Sequence, residues 1–220
     1  MKNEKGFARR TVGESQFVAA LNKGLSLLLL LLIVSCRGND SSDFYPDIVT
    51  EFANIRTDEA GCLSDFTTDD ERTYTIANPK DGYNKNAIYR AVCGYVADGQ
   101  TATLYHATGA HLLRDSTELD LTPDALNVTS VWLSGRYINM QLSPLSQGGT
   151  QYWGFRYEGV SGRTTHVSLH HRQNGDPQSY SQTVYASIHV DSLKAVPSGD
   201  SIALHFATFQ GERVWRFKKP

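Results

Sequence analysis

From Phe44 to the end of the chain, apolar and polar residues alternate with a period of two, and turn residues break the alternation about every ten positions. Alternation marks half-buried strands, and the i, i+3, i+4 apolar spacing of a helix is almost missing. Residues 48–55 read as a first strand, which turns at Asp58-Glu59-Ala60-Gly61 and returns over 62–67. Thr68-Asp69-Asp70-Glu71 is a second turn, followed by a strand over 72–77. Asn78-Pro79-Lys80-Asp81-Gly82 is a loop, because proline and glycine each interrupt a ladder. Residues 87–97 form a long strand with Ala91, Cys93 and Tyr95 on one face, and Asp98-Gly99 signals a hairpin into a strand over 100–106. Five short strands in so few residues suit a small closed barrel, with an OB-like barrel as one option.

Thr122-Pro123-Asp124-Ala125-Leu126 has the Thr N-cap and first-turn proline of one helical turn, and it marks a joint. Strands resume at 128–133, 136–142, 152–158, 164–171, 183–190, 202–208 and 213–217. Such a series with regular turn signals argues for a β-sandwich. On the strand over 164–171, Val167 and Leu169 face inward, and His166, Ser168 and His170 face outward. The expected fold is all-β, an N-terminal OB-like small barrel (44–115) followed by a C-terminal antiparallel β-sandwich (116–220).

One run departs from the alternation. Residues 25–34, LSLLLLLLIV, are apolar apart from Ser26. As a helix they reach about 15 Å, against a hydrocarbon core of roughly 30 Å. That is the length of a signal-peptide apolar region. Lys2, Lys5, Arg9, Arg10 and Lys23 against Glu4 and Glu14 give the leader a net +3, the sign of the end retained inside. Ile33-Val34-Ser35-Cys36 resembles the bacterial lipobox, which implies cleavage before Cys36 and a diacylglyceryl thioether on its sulfur. Acyl chains buried at about 0.8 kcal/mol per CH₂ hold a protein to a bilayer without a spanning helix. Residues 1–35 are then a signal peptide, and 36–43 a polar tether. The expected location is the cell envelope, lipid-anchored through Cys36, at the outer membrane.

Removing the leader leaves 16 Lys+Arg against 21 Asp+Glu, a net charge of −5. An acidic chain without basic clusters argues against a nucleic-acid partner. Two cysteines remain after Cys36. In an oxidising compartment Cys62 and Cys93 could close a loop of about thirty residues, at about 3 kcal/mol in the chain-entropy model. The alternative is a pair of buried free thiols that pack as small apolar side chains.

The lipobox, the opening Phe44-Tyr45-Pro46-Asp47-Ile48-Val49-Thr50-Glu51-Phe52 and the turn Thr68-Asp69-Asp70 resemble the NigD-like lipoproteins of Bacteroidales. So do Ser130-Val131-Trp132-Leu133-Ser134-Gly135-Arg136-Tyr137-Ile138-Asn139 and Asn174-Gly175-Asp176-Pro177. The resemblance covers essentially the whole mature chain. It implies an OB-like N-terminal domain, a C-terminal β-sandwich and a bacteriocin-immunity type of role. It supplies no catalytic residues.

The residues themselves give little chemistry. Gly199-Asp200-Ser201 has a protease-like look, but the strand that follows it leaves no room for oxyanion donors around the serine. His166 and His170 stand about 13 Å apart on a strand, too far to share a metal. Asp69-Asp70-Glu71 lacks the spaced ligand loop that calcium needs. No catalytic residue, metal ligand or cofactor is assigned. Trp132, Tyr137 and Tyr152 are the candidate ligand face, since aromatic residues on OB-like barrels and sheets can stack on sugars. The expected partner is an envelope protein or toxin, with a glycan as the alternative.

Overall fold

The computed structural model describes residues 46–117, 122–193 and 200–219, and Asp47–Pro220 form one compact unit. The leader, Cys36 and the tether lie outside the described residues. In chain order the strands are β1 (Val49–Thr57), β2 (Leu63–Thr68), β3 (Thr73–Ile76), β4 (Ile88–Asp98), β5 (Thr101–Leu112), β6 (Asn127–Ser134) and β7 (Tyr137–Ser143). They continue with β8 (Leu145–Ser146), β9 (Tyr152–Ser161), β10 (Thr164–Arg172), β11 (Tyr180–Ser181), β12 (Val184–His189), β13 (Ser201–Thr208) and β14 (Gly211–Lys218). The only helical piece among the described residues is a 3-10 turn, Val190–Ser192.

β1, β2 and β3 form an antiparallel meander, and β4 pairs with β1 on one side and β5 on the other. Thr75 and Ile76 of β3 run parallel to Thr101 and Ala102 of β5. That short pairing closes a ring of five strands, β1-β2-β3-β5-β4 and back to β1, a small barrel-like ring. Closure leaves no ladder edge among these strands at that end. Alternate residues fill the ring: Ala53 and Ile55, Phe66, Ala91, Cys93, Tyr95 and Leu104 are all buried. The rings of Phe66, Tyr74 and Tyr95 stand 4.8–5.4 Å apart, in geometries favoured by aromatic quadrupoles. Asn78 in the loop after β3 donates its Nδ2 to Leu104 O and accepts from Leu104 N–H at Oδ1, both at 2.8 Å, and so substitutes for a strand partner.

β5 runs past the end expected at His106. Its last residues leave β4 and pair in parallel with β12, Ala110 opposite Tyr185 and Leu112 opposite Ser187. One strand therefore belongs to both the ring and the sandwich. The sandwich follows from β5, β12, β7 and β6 in one sheet and β14-β13-β10-β9 in the other. Ile138, Met140 and Leu142 of β7 meet Val167 and Leu169 of β10 and Ile202, Leu204 and Phe206 of β13 in one buried cluster. Apart from the parallel seams β5–β12 and β10–β13, the sandwich is antiparallel, as expected.

Two local expectations are corrected. Residues 122–126 form an extended strap, not a helical turn: Asp124 N–H donates to His171 O at 2.8 Å and Leu126 N–H to Ala207 O at 3.1 Å. Backbone partners on β10 and β13 outweigh the local capping signal. His170, expected outward, is fully buried, and His171 is 1% exposed. The segment around Ser116 covers β9 and β10, with Ser116 N–H on Phe155 O and the Ser116 hydroxyl 2.8 Å from His170 Nδ1.

The Asn174-Gly175-Asp176-Pro177 turn has a clear structural role. Asn174 and Gly175 take the left-handed φ values of 52° and 77° that Asn and Gly tolerate best. The Asp176 carboxylate then accepts from Ser146 Oγ, Gln147 N–H, Gly149 N–H and Gln151 Nε2 at 2.6–3.0 Å. The Ser146 hydroxyl, followed by the backbone and Gln151 donors, holds its pKa down at about 2.

Candidate functional site

The polar centre of the protein lies where the outer wall of the ring meets the outer face of the β6-β7-β12 sheet. Arg90 is a charged residue in the middle of an otherwise apolar strand, β4, and Asp69 sits in the turn before β3. Their side chains are 2% and 3% exposed. Arg90 Nη2 donates to Asp69 Oδ2 at 3.0 Å, and Nη1 lies 2.7 Å from Oδ1 in an ion-pair contact. The polar groups around them find partners across the junction. Arg90 Nη2 donates to Asn139 Oδ1 at 2.9 Å, Arg90 Nε to Ser187 Oγ at 3.1 Å, and Asn139 Nδ2 to Asp69 Oδ2 at 2.6 Å. The guanidinium stacks 3.8 Å above the Tyr137 ring and 5.1 Å from that of Phe52. Three stretches that carry the family resemblance meet here: Phe52, Asp69, and the run through Gly135, Tyr137 and Asn139.

Beside this junction the wall of the ring opens. The β4–β5 ladder ends at Ala91 opposite Gly109, because β5 turns away to join β12. A cleft of about 810 Å³ occupies the gap. It is lined by small residues, Ala91, Ala107, Gly109 and Ala110, and by Tyr83, Tyr89, Tyr137, His111 and Arg114, with the buried Arg90 at its side. That volume and that mixture of apolar walls with a few polar groups are typical of ligand sites.

A second polar cluster lies on the outer face of the β9–β14 sheet. His205 Nδ1–H donates to Glu212 Oε1 at 2.8 Å, which leaves Nε2 to accept from His166 Nδ1 at 2.9 Å. Ser168 next to it donates its hydroxyl to Glu158. The described residues contain no group of three or more His, Cys, Asp or Glu placed to bind a metal ion.

The residues singled out from the sequence are scattered. Cys36 lies outside the described residues, as does Gly199. Cys62 and Cys93 are free thiols, so the candidate disulfide does not form. Cys93 points into the ring, where burial pushes its thiol up to about 12, and Cys62 sits at the mouth of β2. Trp132 and Tyr137 share the outer face of the β6–β7 sheet, and Tyr152 does not join them. Trp132 packs edge-on against Phe52, Tyr137 lies under Arg90, and Tyr152 is on the opposite sheet against His170. Strand order decides which sheet an aromatic residue joins, which the linear pattern does not show. The residues missed were Asp69, Arg90, Asn139 and Ser187; the one visible signal was an arginine inside the apolar run of β4.

His171 gives the protein an acid-sensitive element. Its Nε2 is 2.9 Å from Gln151 Oε1, and burial lowers its pKa despite the nearby Asp124 carbonyl. A histidine that protonates less readily folded than unfolded leaves stability intact above its unfolded pKa of about 6.5 and removes it as pH falls through that value. Stability is expected to fall between pH 7 and pH 5 by at most about 1.4 kcal/mol per pH unit for this one group. Denaturant unfolding at stepped pH should show a shallower slope in His171→Gln.

The described part of the chain is thus an all-β protein in which a five-strand ring shares one long strand with a two-sheet sandwich, and no helix in it is long and apolar enough to cross a membrane. Residues 110–218 match the family described as the NigD-like C-terminal beta sandwich domain, and the chain belongs to the NigD-like family. Solved structures share the fold. A NigD-like immunity protein from Bacteroides caccae superposes with a TM-score of 0.60 at 22% identity, over 79% of this chain and 93% of that one. A protein described as toxin related from Parabacteroides distasonis gives 0.59 at 14% identity, over 78% and 93%. A protein described as a lipoprotein from Bacteroides fragilis gives 0.56 at 12% identity, over 79% and 99%. No curated protein matches the chain in sequence.

Proposed function

We propose that the mature protein is a lipid-anchored, non-enzymatic protein of the bacterial outer membrane that binds an envelope protein or toxin through the cleft between β4 and β5. The cleft is the observation that carries this reading: a roomy opening lined by tyrosines and the exposed Arg114, placed where two strands part. The lipobox at Cys36 supplies the anchor, and membership of the NigD-like family supports an immunity type of role. The Glu212-His205-His166 array sits apart from the cleft residues and has no nucleophile in its chain of hydrogen bonds, so the reading assigns it no reaction. Gene deletion is expected to sensitise cells to a particular bacteriocin without changing sugar uptake. Cys36→Ser is expected to abolish palmitate labelling, to move the protein out of the membrane fraction and to reproduce the deletion. Normal resistance in both strains across a bacteriocin panel would reject the role.

A second reading is a glycan-binding accessory lipoprotein, favoured by Tyr83, Tyr89 and Tyr137 around the cleft. Binding to a glycan array that is lost in Tyr137→Ala, with unchanged toxin sensitivity on deletion, would select it.

A further inference from the structure

We infer that the cleft is a strand slot, in which an extended segment of the protein partner adds to the free edge of β4; the inference rests on the partner-binding reading above and specifies its mode. Beyond Ala91 and Gly109 each wall keeps a ladder only on its far side. Ile88 is paired with Arg56 of β1 and Leu112 with Ser187 of β12. The orientation of the peptide groups follows from two bonds. Thr57 N–H donates to Ala87 O at 3.0 Å, and Leu113 N–H donates to Ser187 O at 2.8 Å. Successive residues of a strand direct their backbone groups to opposite sides, so the N–H and C=O of Ile88 and of Leu112 face into the cleft. Among the described residues these strand edges have no strand partner, the situation that β-augmentation exploits.

The side chains fit the same occupant. Ile88 is 68% exposed and Leu112 49%, two large apolar residues at the two lips of the opening. Between them the lining of alanine and glycine leaves room for side chains that alternate on an incoming strand. A polypeptide backbone presents donors and acceptors at the repeat that such an edge requires, and a sugar ring does not. Arg114, which lines the cleft, favours an acidic residue in the bound segment. The occupant is therefore a short extended peptide with alternating apolar residues and a carboxylate, a few residues long because each free wall spans three, or about 10 Å.

The test is selection of a displayed heptapeptide library on the protein purified from envelopes in detergent. Enriched peptides are expected to carry alternating apolar residues, to bind in the micromolar range, and to slow amide exchange at Ile88 and Leu112. Methylating alternate peptide nitrogens, which removes backbone donors and nothing else of the pattern, is expected to weaken binding at least tenfold. Gly109→Leu is expected to do the same with an unchanged melting temperature, since a Cβ at Gly109 meets nothing within 4 Å and grows into open space. Peptides that bind Gly109→Leu or the N-methylated series as tightly as the originals would overturn the slot, and so would protection of Ile88 by oligosaccharide probes alone. Peptide binding that passes these controls in a strain whose deletion leaves bacteriocin sensitivity unchanged would keep the slot and reject only the immunity role.

Discussion

Arg90→Met is expected to lower the free energy of unfolding by about 3–5 kcal/mol, the usual cost of breaking a buried ion pair from one side. Methionine keeps much of the packing against Tyr137 and Phe52, so the loss comes from chemistry rather than from a cavity. The Asp69 carboxylate, 3% exposed, is left with Asn139 as its remaining side-chain donor and without a counter-charge. Neutralising it as well should recover most of the loss: Asp69→Asn combined with Arg90→Met is expected to lie within about 2 kcal/mol of the parent, because replacing both partners of a buried pair is often close to neutral. Chemical denaturation of the two single variants and the double variant gives the cycle directly. Additive losses would mean that the two charges act independently, and the account of the junction would fail.

The elements most legible in the sequence were those whose local pattern agrees with the final packing. β7 alternates Ile138, Met140 and Leu142 toward the sandwich core, and β4 alternates Ala91, Cys93 and Tyr95 toward the ring, because each strand turns one face to an apolar core. Legibility failed where long-range partners decide. Ala107-Thr108-Gly109 is small and carries no apolar signature, yet it continues as strand because β4 holds it, and Ala110-His111-Leu112 beyond it continues because β12 is there to pair with it. Thr122 and Pro123 look like a helix start, and the strap is extended because His171 and Ala207 offer backbone acceptors. His170 reads as a surface residue until a segment distant in sequence, around Ser116, is laid over it. The cleft was invisible for the same reason: it is the gap left when one strand changes partner, a property of pairing and not of any residue type. Arg90 is the exception, because a charge within a strand of buried pattern demands a partner on the strength of its residue type alone.

Gly135→Ala should be nearly as damaging as Arg90→Met, for reasons that involve no side-chain interaction. Gly135 is the first of two residues joining β6 to β7, at a φ of 51°, as a two-residue hairpin with glycine in its first position requires. The left-handed backbone alone costs an L-residue about 1–2 kcal/mol. A Cβ there would also lie 1.9 Å from the carbonyl oxygen of Asp69 and 2.9 Å from its carbonyl carbon, both backbone atoms. The turn carrying Asp69 is held by Arg90 and Asn139 and cannot retreat without stretching that network, so an overpacking cost of about 1–3 kcal/mol is added. Gly162→Ala provides the control. Gly162 has a φ of 60° in the hairpin between β9 and β10, and a Cβ there meets nothing within 4 Å, so only the backbone cost applies. The excess of Gly135→Ala over Gly162→Ala in denaturant unfolding therefore measures how tightly the β6–β7 hairpin is pressed against the ring. It should shrink in an Arg90→Met background, where the Asp69 turn is free to move, since residues sharing one contact do not contribute additively. An equal loss at both glycines would mean that the ring and the sandwich are not in close backbone contact at this turn.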